Sequence, residues 1–85
     1  MNSHDIEYVL TIARERSFSK ASKKLFITQP SLSRSIISIE KELGCKLFDR
    51  SAKPLALTEA GELYVSAATR ISEIEASFKE SVRKK

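Results

Sequence analysis

Three residues, Phe26-Ile27-Thr28, separate two stretches of helical periodicity. Before them, Phe18, Ala21 and Leu25 step by three and four; after them, Leu32, Ile36, Ile39 and Leu43 do the same. So short a junction forces the two helices to turn sharply and share one core, the arrangement of a helix-turn-helix. Ser19 is a plausible N-cap of the first of these helices. Thr28 is placed to cap the second, because its hydroxyl can accept from an orphan backbone N–H. Pro30 then falls in the first turn, where a missing N–H costs nothing, and Gly44 ends the helix after Leu43.

The outer face of this second helix is thin. Ser31, Ser33, Ser35 and Ser38 accompany a single arginine, Arg34, in a chain where 31% of residues are charged. Serine is a mediocre helix former, so propensity does not explain the choice. In a helix-turn-helix the second helix enters the major groove of DNA and its first residues reach base edges. Small hydroxyls permit close approach and can bond phosphates or bases. Gln29 can pair with adenine, and Arg34 can fork onto guanine or grip a phosphate. Taken alone, both side chains fit an ordinary solvated face better than a DNA contact; the order of the surrounding elements reverses that preference.

The remaining chain extends the pattern. Ile6, Val9, Leu10 and Ala13 predict a helix over residues 3–16, with Asp5 and Glu7 in its acidic first turn. Residues 46–50 and 55–57 are short apolar segments around a Ser-Ala-Lys-Pro turn, which predicts a β-hairpin with Pro54 at its tip or edge. A hairpin there makes the helix-turn-helix winged. Thr58 caps a last helix carrying Ala60, Tyr64, Ala67, Ile71, Ile74, Phe78 and Val82 on a heptad-like stripe. That helix is too long for three short helices to cover. Its second half, from Ile71 on, therefore predicts pairing with a second copy. The expected fold is mainly α, three helices plus a short β-hairpin wing followed by a long linker helix, divided into residues 1–57 and 58–85.

Composition sets the outer limits. The chain has 85 residues, enough for one small domain, and no apolar run approaches the roughly 18 residues of a membrane span. The first residues lack the basic and apolar regions of a signal peptide. A single cysteine, Cys45, cannot form an internal disulfide, so a reducing cytoplasm is the expected setting, with Cys45 as a small buried residue beside Gly44. The net charge is +4, and the excess falls on both sides of the serine-rich helix: two within residues 1–28 and two within residues 45–57. Lys20, Lys23 and Lys24 form one basic cluster, either solvated or on phosphate. One histidine, His4, and one cysteine far apart, with no Gly-rich phosphate loop, assemble no catalytic or metal-binding constellation. No enzyme activity, cofactor or metal is expected.

Two stretches, "SFSKASKKLFITQPSLSRSIISIEKELGCKLFDR" over residues 17–50 and "LTEAG" over 57–61, resemble the N-terminal DNA-binding domain of the LysR-type transcriptional regulators. With flanking helices of matching length, the resemblance spans essentially the whole chain. It implies a winged helix-turn-helix and a linker helix that pairs two subunits. It implies DNA contacts from Thr28, Gln29, Pro30, Ser31, Ser33 and Arg34, with Arg50 and Lys53 from the wing. Lys53 departs from the arginine common in relatives; lysine lacks the planar fork, which favours a phosphate contact over a minor-groove one. Ser22 replaces a common alanine, and its hydroxyl is expected to bond a backbone carbonyl. The implied partners are double-stranded operator DNA, as an inverted repeat, and a second copy through Tyr64, Ala67, Ile71, Ile74 and Phe78. Full regulators of this family carry an effector-sensing domain after the linker, which takes a small molecule; this chain is expected to be the domain excised from such a protein. A winged-helix module that binds protein is the alternative. It requires apolar cover over the face carrying Gln29 and Arg34.

Overall fold

A computed structural model describes residues 1–84. Its elements are α1 (Ser3–Glu15), α2 (Phe18–Leu25), α3 (Gln29–Leu43), β1 (Phe48–Asp49), β2 (Ala56–Leu57) and α4 (Glu59–Arg83). Each helix starts on a side-chain oxygen that accepts a first-turn amide. Asn2 accepts from the Asp5 N–H at 2.9 Å, Ser17 from Lys20 at 3.1 Å, Thr28 from Ser31 at 3.2 Å and Thr58 from Gly61 at 3.0 Å. The cap of α2 is thus Ser17 and not Ser19. A capping residue must be extended and lie three positions before the amide it takes; Ser17 has φ −163° and ψ 128°, whereas Ser19 is already helical. The Ser19 carbonyl instead accepts the Ser22 hydroxyl at 2.8 Å, the local bond expected of Ser22.

The first three helices end on left-handed residues: Arg16 at φ 54°, Phe26 at φ 58° and Gly44 at φ 75°. Only Gly44 meets this without a Cβ clash; the other two positions each store about 1 kcal/mol or more. They persist because the turned backbone is bonded. Arg16 N–H donates to the Ile12 carbonyl at 2.8 Å, and Ile27 N–H to that of Ser22 at 3.1 Å.

The core is one cluster. Ile6, Val9 and Ile12 of α1, Ala21 of α2, and Leu32, Ile36 and Ile39 of α3 meet Leu47, Phe48, Tyr64 and Ala68. The hairpin pairs Phe48 with Leu57 and Asp49 with Ala56, antiparallel, so its regular part is shorter than the two segments predicted. Its root is fixed by the Leu-Thr-Glu-Ala-Gly stretch. Thr58 N–H donates to the Leu47 carbonyl at 3.0 Å and the Thr58 hydroxyl to the Lys46 carbonyl at 2.6 Å. Gly61 lies against that same Leu47 carbonyl, where a Cβ would collide with backbone. Cys45, expected to be buried, is exposed. The turn at Gly44 carries the chain off the core, which it re-enters only at Leu47.

Helix α4 runs about 37 Å at 1.5 Å per residue, and the molecule measures 48 × 26 × 22 Å. Its first turns bury Gly61, Tyr64 and Ala68, so the core continues past position 57 into the linker helix. Tyr64, expected on the stripe left for a second chain, is only 6% exposed within its own chain. Ala68, not Ala67, follows it into the core, and Ala67 is exposed. The residues left open are Leu63, Ile71, Ile74, Phe78 and Val82, with Leu63 at 68%, Ile74 at 70% and Phe78 at 66% exposure.

Candidate nucleic-acid interface

The N-terminal half of α3 and the wing lie side by side on the surface. Gln29, Pro30 and Arg34 are exposed, and Ser31, Ser33 and Ser35 are half-buried along the flank. Leu32, Ile36 and Ile39 on the opposite side hold the helix in the core. No acidic residue occupies the first turn of α3, whereas Asp5 stands in that of α1 and Glu59 and Glu62 in that of α4. The positive end of the helix dipole therefore has no acidic side chain of its own to balance it, although the Ser31 N–H is already capped by Thr28.

Three of the expected contact residues form a local network. The Thr28 hydroxyl accepts the Ser31 N–H and donates to Ser31 Oγ at 2.9 Å, and Arg34 Nη2 donates to the same oxygen at 3.4 Å. Arg34 is thereby held alongside the start of its own helix. A second network crosses the fold. Arg50 Nη1 donates to Ser33 Oγ at 2.8 Å, and its guanidinium carbon lies 4.3 Å from the centre of the Phe18 ring. Phe18 in turn meets Phe48 edge-on, centroids 5.9 Å apart. Arg50 therefore connects the wing with both helices of the helix-turn-helix. Lys53 is exposed on the turn beyond the strand pair.

The wing turn is braced from within. Asp49 Oδ1 accepts the Ser51 hydroxyl at 2.6 Å and the Ser51 N–H at 3.0 Å. These bonds, the hydroxyl first, hold the Asp49 carboxyl below the ordinary aspartate range. Near neutral pH the wing thus carries a carboxylate whose charge is spent on its own turn, next to Arg50 and Lys53.

Two supporting residues, Glu40 and Arg16, and the exposure of Phe26 were not visible in the sequence pattern. Glu40 is buried, and its Oε2 accepts the N–H groups of Leu47 at 2.7 Å and Phe48 at 3.4 Å, tying α3 to the start of the wing. Arg16 Nε donates to the Leu55 carbonyl at 3.3 Å, tying the end of α1 to the wing's return. Phe26 is 94% exposed at the turn between α2 and α3. The one sequence signal for Glu40 is its place directly after Ile39 on the buried side of α3, where a solvated acid is out of pattern.

Among the described residues no group of three His, Cys, Asp or Glu side chains is placed to hold a metal, and no helix is long and apolar enough to cross a membrane. His4 lies beside Tyr8, ring centroids 6.2 Å apart.

A family model described as bacterial regulatory helix-turn-helix protein, lysR family, matches residues 3–62. The probable cat1 operon transcriptional activator of Acinetobacter lwoffii is 39% identical over 71 residues, which are 84% of this chain and 23% of that protein. The chain thus spans under a quarter of that relative's length. The crystal structure of the BenM DBD with catB site 1 DNA is similar at TM-score 0.87 and 33% identity, over 98% of this chain and 94% of that one. The CbnR DBD–DNA complex is similar at TM-score 0.87 and 28% identity, over 99% and 97%.

Proposed function

Because the chain belongs to the lysR family of bacterial regulatory helix-turn-helix proteins, we propose that it binds double-stranded DNA sequence-specifically, with α3 in the major groove. The wing lies on the flanking backbone or minor groove. The observation that carries this reading is the outward half of α3: Gln29, Ser33 and Arg34 on one acid-free flank, joined to the wing through Arg50. The similar structures determined with DNA support it.

Roles follow from chemistry. Gln29 and Arg34 have the bidentate groups that pair with adenine and guanine edges. Thr28, Pro30, Ser31 and Ser33 form the close-approaching surface, and Lys53 supplies a phosphate contact from the wing. Residues 1–57 carry the DNA contacts and residues 58–85 the linker helix. Two chains pair through Ala67, Ile71, Ile74 and Phe78, with Leu63 added to that stripe by its exposure. A two-fold pair presents two copies of α3 to an inverted repeat whose half-sites lie about 34 Å apart or a multiple of it. The setting is the cytoplasm, where promoter DNA is met. In the complete regulator a small-molecule effector acts through a separate domain.

The test is selection of binding sites from random duplexes at several salt concentrations. The chain is expected to recover one motif and to bind it about 10³-fold more tightly than scrambled DNA, the low end of the range for specific proteins. Equal affinity for both rejects the reading. The protein-binding alternative needs apolar cover on the α3 flank, but Gln29 and Arg34 stand there exposed.

A further inference from the structure

We propose that Arg50 is a positioning residue: from the wing it fixes the Ser33 hydroxyl as a hydrogen-bond donor toward a base edge, and so sets what α3 reads. The inference rests on the reading of α3 as the recognition helix.

A serine hydroxyl on a free helix surface rotates, and can both donate and accept. It therefore discriminates poorly between bases, since each offers a donor or an acceptor in the major groove. Ser33 is not in that condition. Arg50 can only donate, and it does so to Ser33 Oγ at 2.8 Å. One of the oxygen's two lone pairs is thereby engaged, which turns the O–H away from Arg50 and favours it as a donor to the groove. Ser22 shows the contrasting case, a helix hydroxyl whose O–H is spent on the carbonyl of Ser19.

Arg50 is itself held in place. Its guanidinium stacks over Phe18 at 4.3 Å, and Phe18 is held edge-on by Phe48 of β1. The stacked cation keeps its fork fixed, at less entropic cost than a free lysine would pay. The ring and the hydroxyl together fix the guanidinium's position beside α3. Beside the DNA contact expected of Arg50 as a basic wing residue, this places it to orient a neighbour.

A donor facing the groove finds acceptors on guanine (N7, O6), adenine (N7) and thymine (O4). Cytosine offers only its N4 amino donor. Ser33 biased toward donation therefore disfavours cytosine on the strand it faces. A freely rotating hydroxyl, or an alanine, does not.

The experiment is site selection followed by competition with duplexes varied at one position, using the unmodified chain, Ser33→Ala, Arg50→Met and the double variant. Methionine keeps a side chain over Phe18 and removes the donor. Thermal melting of each variant separates folding losses from binding losses. The unmodified chain is expected to disfavour cytosine at one position by about three- to tenfold, the worth of a single net hydrogen bond. Ser33→Ala and Arg50→Met are each expected to erase that bias at the same position, and the double variant to do no more than either. A salt slope reduced by about one, with cytosine bias intact, assigns Arg50 to a phosphate and overturns the proposal. So does a selected motif unchanged by Ser33→Ala, a result that stands even where Arg50→Met fails to fold. Failure of the unmodified chain to select any motif instead rejects the reading of α3 itself.

Discussion

The carboxylate of Glu40 accepts the backbone N–H of Leu47 at 2.7 Å, both residues buried. This bond sets where the wing departs from the recognition helix, because Leu47 is the first residue after the α3 turn to re-enter the core. Replacing Glu40 by alanine leaves buried amides of Leu47 and Phe48 without their acceptor. The expected cost is about 1–3 kcal/mol, read as a lower midpoint in urea. Glu40→Gln, which retains an accepting oxygen, is expected to lose less than the alanine variant. Equal stability of all three chains would show that water replaces the carboxylate.

At Phe26 the fold works against its own residue. The ring is 94% exposed and the backbone stands at φ 58°, so the side chain adds strain and buries almost nothing. Asparagine tolerates the left-handed region far better. Phe26→Asn is expected to raise stability by about 0.5–1 kcal/mol. Urea denaturation of the two chains measures it, and a loss of stability would mean that the ring is packed in solution.

Tyr64 carries a cost of a different kind. Its hydroxyl is buried with no hydrogen-bond partner among the described residues. Burial raises its pKa, and the negative charges of Asp5 and Glu42 raise it further, so the phenol stays protonated through neutral pH. Tyr64→Phe removes the orphaned group while keeping the ring, and is expected to be neutral or to stabilise by up to about 1 kcal/mol. Self-association is expected to be unchanged, because the ring belongs to the chain's own core. Weaker association in sedimentation would show that the hydroxyl reaches a second chain.

The open stripe on α4 makes the opposite prediction. Ile74 and Phe78 are 70% and 66% exposed, and leaving each in water forgoes roughly 1.5–3 kcal/mol of burial. Ile74→Asp with Phe78→Asp is expected to yield a folded monomer, since neither side chain serves the core. Operator binding should fall steeply with the loss of the second α3. A clean monomer of the unmodified chain at high micromolar concentration, with full-affinity binding to one half-site, would sink the paired arrangement.

What the sequence determined by itself is what depends on neighbours a few positions away. Thr28 and Thr58 as caps, Gly44 as a left-handed stop, Pro30 inside a first turn and the Ser22 back-bond were legible because each is closed by atoms within about one helical turn. The winged order of elements was legible because its helices and hairpin are each marked by local signals, whereas the proposed contact residues from Thr28 to Arg34, with Arg50 and Lys53, come from the family resemblance. Tertiary structure alone decided the rest. Glu40 is buried because Leu47 and Phe48, seven and eight residues on, turn their amides into it. Cys45 is exposed because the Gly44 turn leaves the core before Leu47 returns to it. Tyr64 and Ala68 face inward while Ala67 faces out, because α4 presents its 3.6-residue period to a core fixed by α1 and the wing, not a heptad to a partner. Arg50 meets Ser33 across 17 positions and Arg16 meets Leu55 across 39. Such bonds leave no periodic trace in the sequence. They form only once hydrophobic burial has brought distant segments together, and their geometry is set by that packing and not by the residues' own propensities.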